Sequence, residues 1–317
     1  MSTLATSLHL FPNNPFVRTK SVLPTFSTTI TSASSSSYPI NSNVSLSSIA
    51  PLEAILFDID GTLCDSDPLH YYAFRDMLQE IGFNDGSPID EEFFINNISG
   101  KHNEELCSVL LPDWEFEKAM KFMVDKEALF RRLAAEQLEP ISGLNNVCKW
   151  VEDLGLKRAA VTNAPRSNAE LLISMLKLED FFEVIVLAEE CARPKPFPDP
   201  YLKALNALKV SPNHTFVFED SVSGIKAANG AGMPAVGMAT RNPEQMLLDA
   251  GASLVIQDYN DPKLWENLQE MVQQKLPISS KLYESRGSSR IRDRGSSHKT
   301  DCTETLVLKF RKPMSCI

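Results

Sequence analysis

Six short apolar runs, each stopping at a polar or turn-forming residue, recur through the middle of this 317-residue chain. They are Ala54–Phe57, Arg158–Thr162, Glu183–Leu187, Thr215–Phe218, Ala235–Met238 and Ser253–Ile256. A brief run without polar alternation suits a strand covered on both faces, as strands of a parallel sheet are. Between the runs the apolar spacing becomes helical, at about 144–154, 166–177, 199–208, 222–231, 243–250 and 261–274. Gly82, Gly155, Gly232 and Gly251 stand where helices stop. Strand and helix repeated in this way predict an α/β fold with a Rossmann-like, doubly wound parallel sheet.

One stretch breaks the rhythm. From 67 to 140 no strand pattern occurs, and apolar residues recur at helical spacing: Leu69, Tyr72, Ala73, Met77 and Ile81, then Phe116, Met120, Met123, Leu129 and Leu133. The expectation is an all-helical insertion between the first two strands. Open α/β sheets bind ligands beyond the carboxyl ends of their strands. An insertion leaving from that edge would cover the site as a cap.

Composition divides the chain into three. Residues 1–52 hold no Asp or Glu, only Arg18 and Lys20 as basic residues, and many Ser and Thr. Such a segment has little to bury and is expected to be disordered. Hydroxyl-rich, acid-poor composition with no compact apolar core reads as a transit peptide, more plastid-like than secretory, which directs the protein to the chloroplast. The alternative is an extension without an address on a cytoplasmic protein. Residues 278–317 carry nine basic and four acidic residues, a net +5, and read as a basic disordered tail. The remaining body, 53–277, has 20 basic and 37 acidic residues, a net −17. That charge repels nucleic-acid phosphates, so no nucleic-acid partner is expected. No run approaches 18 apolar residues, so no membrane span is expected. The six cysteines form no Cys-x-x-Cys pair and read as scattered thiols. A monomer is expected.

Four polar clusters fall at the ends of the predicted strands. Asp58-Ile59-Asp60-Gly61-Thr62-Leu63 follows the first. Two carboxylates two residues apart on an extended backbone project to one side. One can attack an electrophile while the other moves protons, with a cation between them. Thr162-Asn163 closes the second strand, where the hydroxyl can donate to a phosphate oxygen or simply cap the next helix. Arg193-Pro194-Lys195-Pro196-Phe197-Pro198 either aims a lysine at one point or is a proline-rich turn. Phe218-Glu219-Asp220-Ser221, with Gly224, Ala227 and Ala228 beyond it, suits a hard-oxygen site for Mg²⁺, or helix capping by Asp220 or Ser221.

Together and in this order, these clusters resemble the haloacid dehalogenase superfamily, over about 52–276. The helical insertion resembles its β-phosphoglucomutase-like branch. The stretch Cys64-Asp65-Ser66-Asp67-Pro68, with Gly100-Lys101-His102-Asn103, looks like that of plant broad-range sugar-phosphate phosphatases. The resemblance implies a core at 53–66 and 141–277 with a helical cap at 67–140. It implies a Mg²⁺-dependent phosphatase for small sugar or polyol phosphates. Asp58 would be the nucleophile, forming an aspartyl-phosphate, and Asp60 the acid and base. Asp58, the Asp60 carbonyl and Asp220 would hold Mg²⁺, with Glu219 beside it. Thr162, Lys195 and the Asn163 amide would bind phosphoryl oxygens.

His70, Lys101 and Asn103 would serve substrate binding from the cap. For His70 the alternative is a partly buried helix residue. Arg166 would reach a substrate hydroxyl or lie in solvent, and Phe197 would shape the pocket. Asn103 stands where a phosphoglucomutase typically has an arginine for a second phosphate, which favours hydrolysis over a hexose-phosphate mutase. A catalytically idle binding module is the remaining alternative. The intact set Asp58, Asp60, Thr162, Lys195 and Asp220 speaks against it.

Overall fold

The computed structural model describes Leu46, Ile49 and residues 51–273. The expected transit segment, apart from Leu46, Ile49, Pro51 and Leu52, lies outside them, as does the basic tail at 278–317. Six parallel strands form one sheet: β1 (Ala54–Phe57), β2 (Lys157–Thr162), β3 (Val184–Leu187), β4 (Thr215–Glu219), β5 (Ala235–Met238) and β6 (Leu254–Ile256). Their order is β3-β2-β1-β4-β5-β6, the doubly wound arrangement. Each strand lies within one residue of its sequence expectation at either end.

β1 sits at the centre because every residue in it is apolar and buried. It pairs with β2 from Ala54↔Lys157 to Phe57↔Ala160, and with β4 from Ala54↔Thr215 to Phe57↔Phe218. Alternate side chains feed two cores. Ile55 and Phe57 pack in one with Phe218, Tyr259 and Leu264. Ala54 and Leu56 pack in the other with Tyr201, Val217 and Ile225. Phe57 stacks on Phe218 with centroids 5.3 Å apart and meets the edges of Phe181 and Phe182. Covering both faces removes the sheet from water, which is the reason for the unbroken apolar runs.

Helices α1 (Asp67–Glu80), α2 (Glu91–Asn97), α3 (Asn103–Leu110) and α4 (Phe116–Gln137) follow β1 and build the all-helical cap. Helices α5 (Leu144–Asp153), α6 (Arg166–Met175), α7 (Asp199–Leu208), α8 (Val222–Gly230), α9 (Glu244–Asp249) and α10 (Pro262–Gln273) flank the sheet. Among the described residues, no helix is long and apolar enough to cross a membrane.

The cap has its own core, in which Phe74, Leu78, Phe94, Leu106, Leu110, Phe122 and Met123 close together. The buried faces differ in part from the sequence expectation. In α1 the buried apolar residues are Leu69, Ala73, Phe74 and Leu78, whereas Tyr72 and Ile81 are exposed. In α4 they are Ala119, Phe122, Met123, Phe130 and Ala134, and Phe116 is exposed. The cap is thin, so its outer face keeps aromatic and aliphatic residues that a larger core would have covered.

Two connectors carry the cap and run side by side. Asp65 N–H donates to the Glu139 carbonyl at 2.9 Å, and Ile141 N–H to the Leu63 carbonyl at 3.0 Å. Cys64 bridges to Pro140 between them.

Candidate active site

The strand order brings Asp58, Thr162 and Glu219-Asp220 to adjacent strand ends, since β1 lies between β2 and β4. A loop from β3 to α7 adds Lys195. The cap closes over them, leaving a cavity of about 90 Å³. Asp58, Asp60, Thr162, Asn163, Lys195 and Asp220 line it from the core. His70, Lys101 and Asn103 line it from the cap. Glu219 lies behind this wall.

Lys195 is buried and spends all three ammonium hydrogens. It donates to Asp58 Oδ1 at 2.6 Å, Glu219 Oε1 at 2.6 Å and the Val161 carbonyl at 2.7 Å. Burial opposes its charge, but the carboxylates of Asp58 and Glu219 outweigh that and hold it at about 12. Asn163 fixes the segment by accepting from Lys195 N–H at 3.1 Å and donating to the Lys195 carbonyl at 3.2 Å. Other residues of the proline-rich segment turn outward. Arg193 pairs with Asp199 and covers the exposed Phe197 ring, so Phe197 does not shape the cavity. Arg166 pairs with Glu190 and Glu170 in solvent.

Glu219 is fully engaged. Tyr201 donates to Oε1 at 3.0 Å, and Ser221 donates to Oε2 from both its amide and its hydroxyl at 3.0 Å. Ser221 also caps α8 by accepting from Gly224 N–H. Capping and carboxylate chemistry are thus divided between neighbours in one cluster. Gly224 has no room for a side chain: a Cβ there would overlap the Glu219 carboxylate. Gly61, at φ +71°, abuts the Asp220 carboxylate in the same way.

Carboxylate oxygens of Asp58, Glu219 and Asp220 lie within 4.8 Å of one another. Burial pushes the Asp58 and Asp220 carboxyls well above the usual carboxylate range, and neighbouring acids add to it. Lys195 alone offsets this cluster incompletely. A cation bound there would reverse the shift. The donors are all hard oxygens, which fits Mg²⁺ rather than a thiolate- or imidazole-seeking metal. Asp58 and Asp220 are the freer ligands, because both oxygens of Glu219 already accept hydrogen bonds.

Asp60 turns away from that cluster. Its Oδ1 accepts from Ser66 Oγ at 2.8 Å and lies 3.2 Å from His70 Nε2. Lys126 Nζ lies 3.3 Å from His70 Nδ1. An ammonium only donates, so Nδ1 accepts and Nε2–H is directed to Asp60. His70 is held flat on Phe130 with centroids 3.6 Å apart. Thr162 Oγ1 accepts from Ala164 N–H at 2.9 Å, which leaves its own hydrogen to donate. The cap loop meets the core where the Gly100 carbonyl accepts from Ser223 Oγ at 2.7 Å.

Lys126, Glu127, Asn168 and Tyr201 complete the site's surroundings and escaped the sequence analysis. Lys126 and Glu127 fall between Met123 and Phe130 on the buried face of α4. That charged pair inside an apolar stripe was the available signal.

A doubly wound sheet with an acid pair after its first strand and a helical lid over the strand ends is a capped α/β architecture. The profile of the haloacid dehalogenase-like hydrolases matches residues 55–238, and the chain belongs to that family. It is 31% identical over 210 residues to a phosphorylated carbohydrates phosphatase of Thermotoga maritima, covering 65% of this chain and 94% of that one. A fructose-1-phosphate phosphatase of Escherichia coli is 29% identical over 184 residues, covering 57% and 94%. Among solved structures, a haloacid dehalogenase hydrolase of Entamoeba histolytica superposes with a TM-score of 0.62 at 30% identity, covering 70% of this chain and all of the other. A β-phosphoglucomutase of Clostridium difficile shares the fold with a TM-score of 0.61 at 24% identity, covering 70% and 98%.

Proposed function

We propose that this protein is a Mg²⁺-dependent phosphatase that hydrolyses small sugar or polyol phosphate monoesters through an aspartyl-phosphate. The observation that carries the reading is the joint lining of one capped cavity by Asp58, Asp60, Thr162, Lys195 and Asp220. The relatives named as phosphatases of phosphorylated carbohydrates support the substrate class.

In this reading Asp58 attacks phosphorus in line, and the bond from phosphorus to the leaving oxygen breaks. Asp60 gives its proton to that oxygen. Ser66 and His70 both meet Asp60 at Oδ1, so Oδ2 is the oxygen that carries the proton. Asp60 then takes a proton from water, which attacks the phosphorus and frees Asp58. Thr162 donates to a phosphoryl oxygen. Lys195 holds Asp58 in place and offsets charge, exchanging one of its three bonds when it reaches the phosphoryl group. Asp58, Asp220 and the Asp60 carbonyl would hold Mg²⁺, which supplies positive charge against the phosphoryl oxygens. Lys101 and Asn103 are proposed to meet the sugar from the cap, whereas His70, with its ring nitrogens turned to Lys126 and Asp60, is proposed to act on the acid rather than on the sugar. The cap is proposed to span 67–140, between the paired connectors.

The address proposed for residues 1–52 remains the chloroplast.

The test is phosphate release by the full-length protein with Mg²⁺ from glycerol 3-phosphate, ribose 5-phosphate, hexose 6-phosphates and glucose 1-phosphate. Release lost in Asp58→Asn supports the reading. Conversion of glucose 1-phosphate into its 6-phosphate without release would replace it with a mutase. Neither reaction from a folded protein would favour a binding module.

A further inference from the structure

A continuous line of side chains runs from the boundary of cap and core to the acid Asp60. Arg131, on cap helix α4, donates from Nη1 to Ser167 Oγ at 3.0 Å and to Asn168 Oδ1 at 2.8 Å. Asn168, on core helix α6, donates from Nδ2 to Glu127 Oε2 at 2.6 Å. Glu127 accepts from Lys126 at 2.7 Å through its other oxygen. Lys126 then reaches His70, and His70 reaches Asp60. Three members are almost wholly inaccessible: Lys126 at 2%, Glu127 at 5% and Asn168 at 0% exposure.

The line crosses between cap and core at Asn168. Both ends of that amide are spent on cap side chains, the acceptor on Arg131 and the donor on Glu127. A buried amide has no reason to be so placed unless its partners are present, since either end left unpaired would be costly. Separating cap from core would break both bonds at once. Together they seat Glu127, which holds the Lys126 ammonium against His70 Nδ1. That bond fixes the tautomer whose Nε2–H is directed to Asp60.

Building on the phosphatase reading, we infer that Asn168 is a positioning residue that latches the cap through Glu127 and thereby sets the Lys126–His70 pair on the general acid. Cap closure and readiness of Asp60 are then one event. Water is excluded at the moment the acid is aligned.

The consequence depends on the leaving group. An alkoxide needs its proton from Asp60, whereas p-nitrophenolate leaves with little help. kcat/KM reports only the steps through the first irreversible one, which is transfer to Asp58. In the full-length protein, Asn168→Ala should lower kcat/KM for the best sugar or polyol phosphate by about 10-fold or more relative to p-nitrophenyl phosphate. Asn168→Asp sets a carboxylate against Glu127 and should be worse still. Adding Glu127→Gln to it restores a donor and acceptor pair, because the new amide can donate to the carboxylate introduced on α6 while accepting from Lys126. The double variant should therefore exceed Asn168→Asp alone.

Melting curves establish that each variant folds. If Asn168→Ala does not, Glu127→Gln alone should show the same selective loss. An unchanged ratio of the two esters in a folded variant, or a double variant no better than Asn168→Asp, would overturn the latch while leaving the phosphatase reading intact. Failure of the wild-type protein to hydrolyse either ester would remove that reading and this inference with it.

Discussion

The Lys195 ammonium lies 2.6 Å from Oε1 of Glu219, a carboxylate with no exposed surface. The same ammonium lies 2.6 Å from the proposed nucleophile Asp58. Glu219 thus acts on Asp58 at one remove, by fixing the cation that fixes it. Breaking a buried pair by removing one partner leaves an uncompensated charge and costs about 3–5 kcal/mol. Lys195→Met is expected to lower the melting temperature and abolish turnover. Glu219→Gln, which keeps an acceptor for Lys195, is expected to retain the fold with a smaller loss. Thermal unfolding followed beside phosphate release checks both.

Asp58 and Asp60 should fail differently. Asp58→Asn removes the attacking oxygen, and every phosphate ester should be inert. Asp60→Asn keeps the attack but not the proton, so loss should be greatest for alkyl esters, by about 10²-fold or more. A burst of p-nitrophenol without steady turnover is expected from Asp60→Asn, because hydrolysis of the intermediate also needs a base. Quench-flow on p-nitrophenyl phosphate would show it. Full activity in a folded Asp58→Asn protein would sink the mechanism.

Gly61 stands at φ +71° against the Asp220 carboxylate. A side chain there is strained by its backbone and pushes Asp220 aside. Gly61→Ala is expected to weaken Mg²⁺ binding by about 10-fold or more, the loss following from displacement of one carboxylate. Titrating Mg²⁺ against melting temperature reads this without reference to turnover. An unchanged midpoint would show that Asp220 is not needed to hold the ion.

Glu127 offers a pH test. Burial raises its carboxyl, but the Lys126 ammonium, with hydrogen bonds from Lys126 and Asn168, brings it from an ordinary 4.5 down to about 2. A carboxyl lowered in the folded state contributes stability above its ordinary value and loses it as pH falls toward the folded one. Wild type should therefore exceed Glu127→Gln in stability at about pH 6 to 7, and the gap should narrow between about 4.5 and about 2. Urea unfolding of both proteins across that range checks the sign.

The strands and the first acid cluster were legible because each has a local signature. β1 is apolar throughout since both its faces are covered, and the run ends where Asp58 meets the edge of the sheet. Glu219-Asp220 and Thr162 close β4 and β2 for the same reason. The cap's buried faces were less legible. Tyr72 and Phe116 fit the helical period yet lie outside, because a small domain cannot bury every apolar residue that the period offers. Phe197 fell close to Lys195 in sequence, but the turn that buries one exposes the other.

By itself the sequence determined the order of strands and helices, the helical insertion and the polar residues at the strand ends. These follow from periodicity and from residues adjacent along the chain. The tertiary structure alone decided which carboxylate each cation serves. Lys195 meets Asp58 across 137 positions and Glu219 across 24, and Asn168 meets Glu127 across 41. Such pairings form because buried charges and amides must find partners once the core and cap exclude water, and no spacing along the chain records which partner that is.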